Sequence, residues 1–383
     1  MDYFIKNSIF LTLAILEIFV IDYYASSKPD QKEEAKPIPK WNQYDENTRP
    51  HYIGEVETEY EQYFEDAVDE LTQMVEGEIP LDFKRGVFLI ENAFYKGALN
   101  WEEFNNEIQE MAKKIQPIIE RNRFRGGNLA LNWGVFTYMS DSIPENNNYP
   151  FGYDYDTFLA DYDGQAHMVS HTLKTKKGNC ISLPFLYKIL ANEVGAKAHL
   201  ATAPMHLFIK IQDDTGEWHN HEVTAGSFSR TSFIIESFGV TDRALHSGLH
   251  MKPLTEMESI GYLLEQLIFY YEDKTGKYYG DIVMKAINAG LKARPVSMLL
   301  GSLLEEKSLR IYYFLEQNNL PLNSLEVINT YPYTQKLHEE ILILKQQIAN
   351  IGYVNFTAKR YKKLFDDILK NKEAKEKNIG VTQ

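Results

Sequence analysis

Apolar residues recur at three- and four-residue spacing through much of the chain between residues 52 and 119. The pattern is clearest in TEYEQYFEDAVDELTQMVEG and in NWEEFNNEIQEMAKKIQPIIE. This spacing puts the apolar side chains on one face of a helix, so it predicts helices that pack against a core. The acidic residues between them, Glu61, Asp66 and Glu70, then lie on the solvated face and are not expected to react.

The pattern changes around the sequence Gly178-Asn179-Cys180. The segment that follows, ISLPFLYKILANEVGA, has apolar residues at helical spacing and ends at Gly195. Two segments with alternating apolar residues come next, AKAHLATA and MHLFIKIQ, and a polar turn at 213–216 leads into a third, EWHNHEVT. The middle of the chain therefore predicts one helix followed by three strands.

Helical spacing returns after Pro253. It is clearest in MESIGYLLEQLIFYYED, YGDIVMKAINAGLKA, YTQKLHEEILILKQQIANIG and TAKRYKKLFDDILKNK, with glycine and proline breaks between them. These segments predict an all-helical C-terminal domain over residues 251–383, whose surface offers a groove for a protein partner.

The N-terminus carries an apolar run from Ser8 to Ile21, preceded by a lysine and followed by the small residues 25–27. This order is typical of a signal peptide over residues 1–27. An uncleaved membrane anchor is the alternative, although Glu17 and the short run fit a bilayer span of about 20 residues poorly. The polar stretch at 28–50 predicts a solvated linker. We therefore expect an exported protein, attached to a membrane only if this segment is not cleaved.

Composition narrows the classes of function. The 383 residues are 44% hydrophobic and 25% charged, which is typical of a globular chain with about two domains. Lys plus Arg number 40 against 54 Asp plus Glu, and the net charge of −14 argues against nucleic acid as a partner. The single cysteine, Cys180, excludes an intrachain disulfide and leaves either a packed thiol or a reactive one.

Cys180 precedes the predicted helix, where the unpaired amides and positive end of a helix favour a thiolate. Pairing across a turn centred near Asp214 places His206 and Glu222 opposite one another on neighbouring strands. The imidazole can then take the thiol proton, and the carboxylate can orient the imidazole. The amide of Cys180 is a natural oxyanion donor, and the sequence does not place a second one; Asn179 is either an alternative donor or a helix cap. The candidate catalytic residues are Cys180, His206 and Glu222.

These motifs carry a family resemblance. Gly-Asn-Cys at 178–180, His-x-Phe at 206–208 and Trp-x-x-x-Glu-x-Thr at 218–224 resemble the transglutaminase-like superfamily. The third motif of that family reads as an aromatic residue and then Asp-Pro-Thr. Here Glu222 and Val223 stand in place of the aspartate and the proline, so the chain departs from the family pattern at the acid.

The resemblance covers roughly Val87 to Phe228, and the stretch at 153–156 resembles the lead-in of a bacterial branch in which many members lack the cysteine. It implies an α+β fold with a papain-like core and N-terminal helices over residues 51–250. It also implies thiol acyl transfer on a peptide or amide substrate, by hydrolysis or by transfer to an amine, and we expect this activity to need no cofactor. Together with the apolar N-terminal run, it predicts a location in the bacterial periplasm or cell envelope. Farther along, 278–306 weakly resembles one tetratricopeptide unit, although such repeats need several stacked copies to bury a core. A plain helical domain packed on the catalytic one is the alternative, and either would present a groove for a protein or peptide.

Two other interpretations remain open. His219 and His221 alternate onto one strand face, and with His199 or His206 they would supply zinc ligands, although no Cys-x-x-Cys or His-Glu-x-x-His pattern accompanies them. The second interpretation is a non-catalytic peptide-binding or scaffolding protein in which Cys180 is only a packed residue.

Overall fold

The computed structural model describes residues 59–121, 126–155, 165–277, 279–322 and 324–354, together with residues 366 and 370. The predicted signal peptide and linker lie outside the described residues, as do the start of the predicted 51–250 domain and most of the chain after Val354. Among the described helices, none is both long and apolar enough to cross a membrane.

Helices dominate the described chain and a small group of strands lies in its middle, so the fold is of the mixed α+β type that the sequence predicts. The strands are β1 (Gly152–Tyr153), β2 (Lys177–Gly178), β3 (His199–Ala203), β4 (His206–Gln212), β5 (Trp218–Glu222) and β6 (Ser227–Ser229). The helices are α1 (Glu61–Glu76), α2 (Phe83–Phe94), α3 (Trp101–Glu120), α4 (Gly127–Ser140), α5 (Val169–Thr175), α6 (Ser182–Glu193), α7 (Thr231–Phe238), α8 (Asp242–Ser247), α9 (Glu256–Thr275), α10 (Asp281–Ala293), α11 (Leu299–Gln317), α12 (Leu325–Thr330) and α13 (Pro332–Asn350).

The four longer strand segments form one antiparallel sheet in the order β3, β4, β5, β6, in which each strand pairs with the next along the chain. The predicted order of a helix and three strands is confirmed as α6, β3, β4 and β5. The β1 and β2 strands form a separate parallel pair in which Tyr153 lies opposite Gly178. That pair ends two residues before Cys180, so it fixes the chain immediately before the candidate nucleophile.

Alternation along the strands gives the sheet two different faces. One face packs on α4 and α6 through residues such as Leu207 and Ile209. The other face is covered by α7 and α8, whose apolar residues include Ile234 and pack with Phe208. The sheet therefore lies between two helical layers.

The largest hydrophobic core extends from Phe64 on α1 to Leu299 at the start of α11. It joins α1 and α2 to α9 and α10, so the boundary predicted between residues 250 and 251 does not coincide with a break in this core. A second core, built from α11, α12 and α13, begins at Leu300. The tetratricopeptide-like segment corresponds to α10 and the first part of α11, which contact each other.

The acidic residues of the first helix have structural partners. Glu61 on α1 pairs with Lys277, and two further ion pairs join α1 to α10 along the same side. Glu70 accepts two hydrogen bonds from the guanidinium of Arg85. These contacts stabilise the packing of the helices and leave the acids of α1 away from the strands.

His221 on β5 is fully buried in an aromatic cage on the α4 and α6 side of the sheet. Its ring centroid lies 4.6 Å from that of Phe136, 4.8 Å from that of Tyr187 and 5.2 Å from that of Phe228. Neither ring nitrogen has a hydrogen-bond partner within the described part of the chain. Burial lowers the pKa of His221 to about 3, so the ring is neutral at neutral pH.

We expect the substitution His221→Phe to reduce the sensitivity of the fold to acid. Because burial holds the pKa of His221 below its unfolded value of 6.5, protonation favours the unfolded chain, and stability is lost as the pH falls below that value. The advantage of the variant over the wild type in free energy of unfolding should grow by about 2 kcal/mol between neutral pH and about pH 5. Chemical denaturation at the two pH values measures it. Parallel changes in the two proteins would contradict this account of His221.

Candidate active site

Cys180 lies just before the first turn of α6, at a helix start that its neighbours shape. The Asn179 side-chain oxygen accepts hydrogen bonds from the amides of Ile181 at 2.9 Å and Ser182 at 3.3 Å. The Ser182 hydroxyl accepts from the Asn179 amide at 3.1 Å and donates to the Ala166 carbonyl at 2.8 Å. Asn179 thus caps the helix, the second of the two roles considered for it. The Cys180 side chain is partly exposed at this end.

The predicted partners of Cys180 lie together on the sheet. His206 is the first residue of β4 and Glu222 is the last residue of β5. The His206 Nε2 atom lies 2.7 Å from the Glu222 Oε2 atom, and the two side chains are only 8% and 9% exposed. A contact this short between buried groups is a hydrogen bond that water does not screen.

The register of the two strands differs from the sequence prediction by two residues. Ile209 pairs with His221, so the continuation of the ladder sets Phe208, and not His206, opposite Glu222. Because side chains alternate with a period of two, this shift keeps His206 and Glu222 on the same face and makes them diagonal neighbours. The glutamate side chain spans the diagonal, which explains why the contact survives the shift.

The electrostatic environment of His206 favours its charged form. Burial lowers the pKa of this imidazole, but the charge of Glu222 and side-chain hydrogen bonds with Cys180 and Glu222 outweigh burial and raise the pKa to about 10. Since Nε2 faces Glu222, Nδ1 is the nitrogen available to the thiol. Cys180 and Glu222 both act on the same imidazole, so the structure brings the three predicted residues together.

Phe238, the last residue of α7, was not foreseen from the sequence. Its ring stacks on the His206 imidazole with centroids 4.2 Å apart and planes only 5° from parallel. It covers one face of the imidazole and restricts rotation of the ring. Helical spacing in α7 shows that Phe238 shares a face with Ile234, but no local pattern links either of them to His206.

Two polar atoms near the candidate site are buried without a hydrogen-bond partner in the part of the chain that the structure describes. They are the second carboxylate oxygen of Glu222, Oε1, and the side-chain oxygen of Asn220. The Asn220 nitrogen donates to the Ser229 carbonyl and to the Thr231 hydroxyl, and this fixes the orientation of the amide. Both oxygens are acceptors, so this part of the sheet favours a positively charged imidazole.

The four histidines proposed as zinc ligands do not converge. His199 pairs with Lys210 while His219 pairs with Ile211, so His199 and His206 lie on one face of the sheet and His219 and His221 on the other. The His199 Nδ1 atom contacts the Leu254 carbonyl at 2.9 Å.

His219 belongs to the one group of potential metal ligands found among the described residues, with Asp213 and Glu217. Within that group the Asp213 carboxylate already has several hydrogen-bond partners from the protein itself. It accepts from the Thr215 hydroxyl at 2.7 Å and from the Thr215 and Glu217 amides, and it lies 2.8 Å from the His219 Nε2 atom. This set of contacts orders the β4–β5 turn.

Gly178 has a steric reason to precede Asn179 and Cys180. A Cβ atom at this position would lie 2.4 Å from the Ser182 hydroxyl oxygen and 2.6 Å from the Thr172 hydroxyl oxygen. Both contacts are shorter than van der Waals packing allows, so only glycine lets β2, α5 and α6 approach this closely.

We expect Gly178→Ala to destabilise the fold by about 1–3 kcal/mol, because the methyl group overpacks a site with no free volume. Gly152→Ala is the matched control, since Gly152 lies on the paired strand β1 and its added methyl group would meet nothing within 4 Å. Denaturant unfolding of both variants measures the difference. Equal stability of the two variants would mean that the helix start can move to accept the methyl group.

Comparisons with known proteins identify no relative of this chain. No protein-family model matches it, and neither does any curated protein or solved structure.

Proposed function

We propose that this protein is a cysteine-dependent acyl-transfer enzyme, with Cys180 as nucleophile, His206 as general base and acid, and Glu222 as the group that orients and charges the imidazole. The observation that carries the proposal is the grouping of Cys180 and Glu222 around the His206 imidazole. The His206–Glu222 contact of 2.7 Å is buried, and the Cys180 sulfur is partly open at a helix start. A nucleophile, a base and a group that orients the base are the parts that such catalysis requires.

In the proposed reaction His206 takes the thiol proton of Cys180. The sulfur attacks the carbonyl carbon of an amide, a C–S bond forms, and the carbonyl oxygen becomes negatively charged. The C–N bond then breaks, and His206 gives the proton to the departing amine. Water or a second amine attacks the resulting thioester and loses a proton to His206, the C–S bond breaks, and the proton returns to sulfur. The pKa of His206 near 10 supports the first step, because the imidazole holds a proton at neutral pH.

The start of α6 supplies the electrostatics for the charged oxygen. The amide of Cys180 precedes the first helical turn, where amide groups point outward without intrahelical acceptors. Such amides stabilise an oxyanion when its oxygen lies about 3 Å away. Asn179 caps the neighbouring amides with its side-chain oxygen, so the amide of Cys180 is the donor that we propose.

We further propose a transglutaminase-like, papain-like core, because the nucleophile begins a buried helix and its partners follow on adjacent antiparallel strands. This order of elements agrees with the resemblance of motifs at 178–180, 206–208 and 218–224. Glu222 stands where that family has aspartate, and its contact with His206 supports its role as the acid. The substrate we propose is a peptide or protein amide. The apolar N-terminal run supports an exported location in the periplasm or cell envelope.

We predict that iodoacetamide alkylates Cys180 at least about tenfold faster than a free cysteine at neutral pH, since a thiolate beside a charged imidazole reacts fastest. Cys180→Ser is the control that must show no labelling in this chain of one cysteine. In His206→Asn the rate should fall to that of free cysteine. Quenched time courses read by mass spectrometry give the rates. A wild-type rate no greater than that of free cysteine would favour the scaffolding interpretation, in which the thiol is only packed.

We predict that Glu222→Gln lowers turnover of a peptide p-nitroanilide by about a thousandfold, because an uncharged side chain cannot stabilise the imidazolium. The same change should lower the pKa of His206 from about 10, since burial then acts without the opposing charge. An NMR titration of the His206 ring measures this independently of activity. Glu217→Gln is the control, because Glu217 is an exposed acid near the start of the same strand. Activity within a few-fold of wild type in Glu222→Gln would exclude Glu222 as the third member.

A further inference from the structure

The loop that joins β3 to β4 has an unfavourable backbone at Met205. Ala203 pairs with His206, so only Pro204 and Met205 form the turn. Met205 has a φ of 56°, in the left-handed region. A turn with proline first and a left-handed residue second normally has glycine or asparagine at that second position. Methionine there is strained, and glycine would relieve the strain.

The Met205 side chain is also unusually exposed for an apolar group. It is 48% accessible although it adjoins the buried imidazole of His206. The Met205 carbonyl oxygen lies 4.0 Å from the Cys180 sulfur, so the residue borders the candidate nucleophile directly. The partly exposed ring of Phe238 stacks on the imidazole of His206. An exposed apolar side chain is therefore kept on the residue that adjoins both Cys180 and His206, despite a backbone cost.

Strain that persists at a reactive site has a functional reason more often than strain elsewhere. An exposed methionine provides a flexible, polarizable apolar contact that adapts to differently shaped groups. No polar role is available to the thioether at this position beyond weak acceptance. The feature that the strain preserves is an exposed apolar side chain on the residue whose carbonyl oxygen lies beside the sulfur.

We propose that Met205 determines acyl-group specificity, by forming an apolar subsite for the substrate chain attached to the reactive carbonyl. The substrate class is then amides whose acyl group carries an apolar side chain, in preference to polar or charged ones. This inference rests on the proposed function, because the subsite matters only if Cys180 attacks the carbonyl beside it. Met205 does not take part in proton transfer.

The test compares two alkylating probes that differ only in an apolar chain, iodoacetamide and N-hexyl iodoacetamide. The readout is the ratio of their second-order rates with Cys180, divided by the same ratio for glutathione. In the wild type this normalised preference for the hexyl probe should be about fivefold or more, as expected for covering part of a hexyl chain. Met205→Gly should bring the preference close to one.

Two further variants separate the side chain from the backbone. Met205→Leu retains an apolar side chain on the same strained backbone, so it should keep most of the preference. Asn319→Gly also places glycine at an exposed left-handed position, with φ of 52° in the wild type, and should leave the preference unchanged. Thermal unfolding of Met205→Gly should occur at an equal or higher temperature than in the wild type, since glycine relieves the strain.

The possible results are distinguishable. A fast wild-type reaction with iodoacetamide and an unchanged preference in Met205→Gly would overturn the subsite and leave the proposed function intact. If Met205→Leu also lost the preference for the hexyl probe, the subsite would again be overturned, because apolar surface would then not be the determinant of specificity. A wild-type rate with iodoacetamide no faster than that of free cysteine would overturn the proposed function and the subsite with it.

Discussion

The burial of α6 on all sides is the constraint on which the rest of the structure depends. Every residue from Ser182 to Ala191 is buried. The helix contacts α2, α3, α4 and α5 as well as β3 and β4 of the sheet. A helix in this position cannot shift without disturbing every layer, because protein interiors are packed as densely as organic crystals. The candidate nucleophile comes two residues before this helix, so its backbone is positioned by the whole core.

The complete burial of α6 includes a lysine, Lys188, which is a residue type seldom found in a protein interior. The Lys188 side chain is fully buried within α6, and its ammonium group donates to the Ala198 carbonyl and lies 2.6 Å from the Glu256 carboxylate. Burial lowers the pKa of Lys188, although Glu256 opposes this effect. Glu256 begins α9, so the pair connects the central helix to the helices after residue 250. This ion pair lies alongside helices of the core that crosses the predicted domain boundary, since that core includes residues of both α6 and α9.

The candidate site is assembled from elements that are distant in sequence and adjacent in the fold. The helix start provides the thiol, two neighbouring strands provide the imidazole and the carboxylate, and α7 provides the aromatic cover. The surroundings of two histidines then shift the pKa values of their identical side chains in opposite directions. His206 lies beside Glu222 and has a raised pKa, whereas His221 lies in an aromatic cage and has a lowered one. Residue type alone does not distinguish them, since the difference comes from the charges and ring faces around each imidazole.

The sequence by itself determined the local features. Spacing of apolar residues predicted α6 and strands β3 to β5, because helices and strands repeat with different periods, and the Gly-Asn-Cys motif located the helix start. The same periods placed His206 and Glu222 on one face, and an error of two residues in register left that unchanged. Only the tertiary structure decided which neighbours lie across space. The covering of His206 by Phe238, the isolation of His221 and the continuity of the core past residue 250 depend on packing between distant segments, and local periodicity carries no information about such contacts.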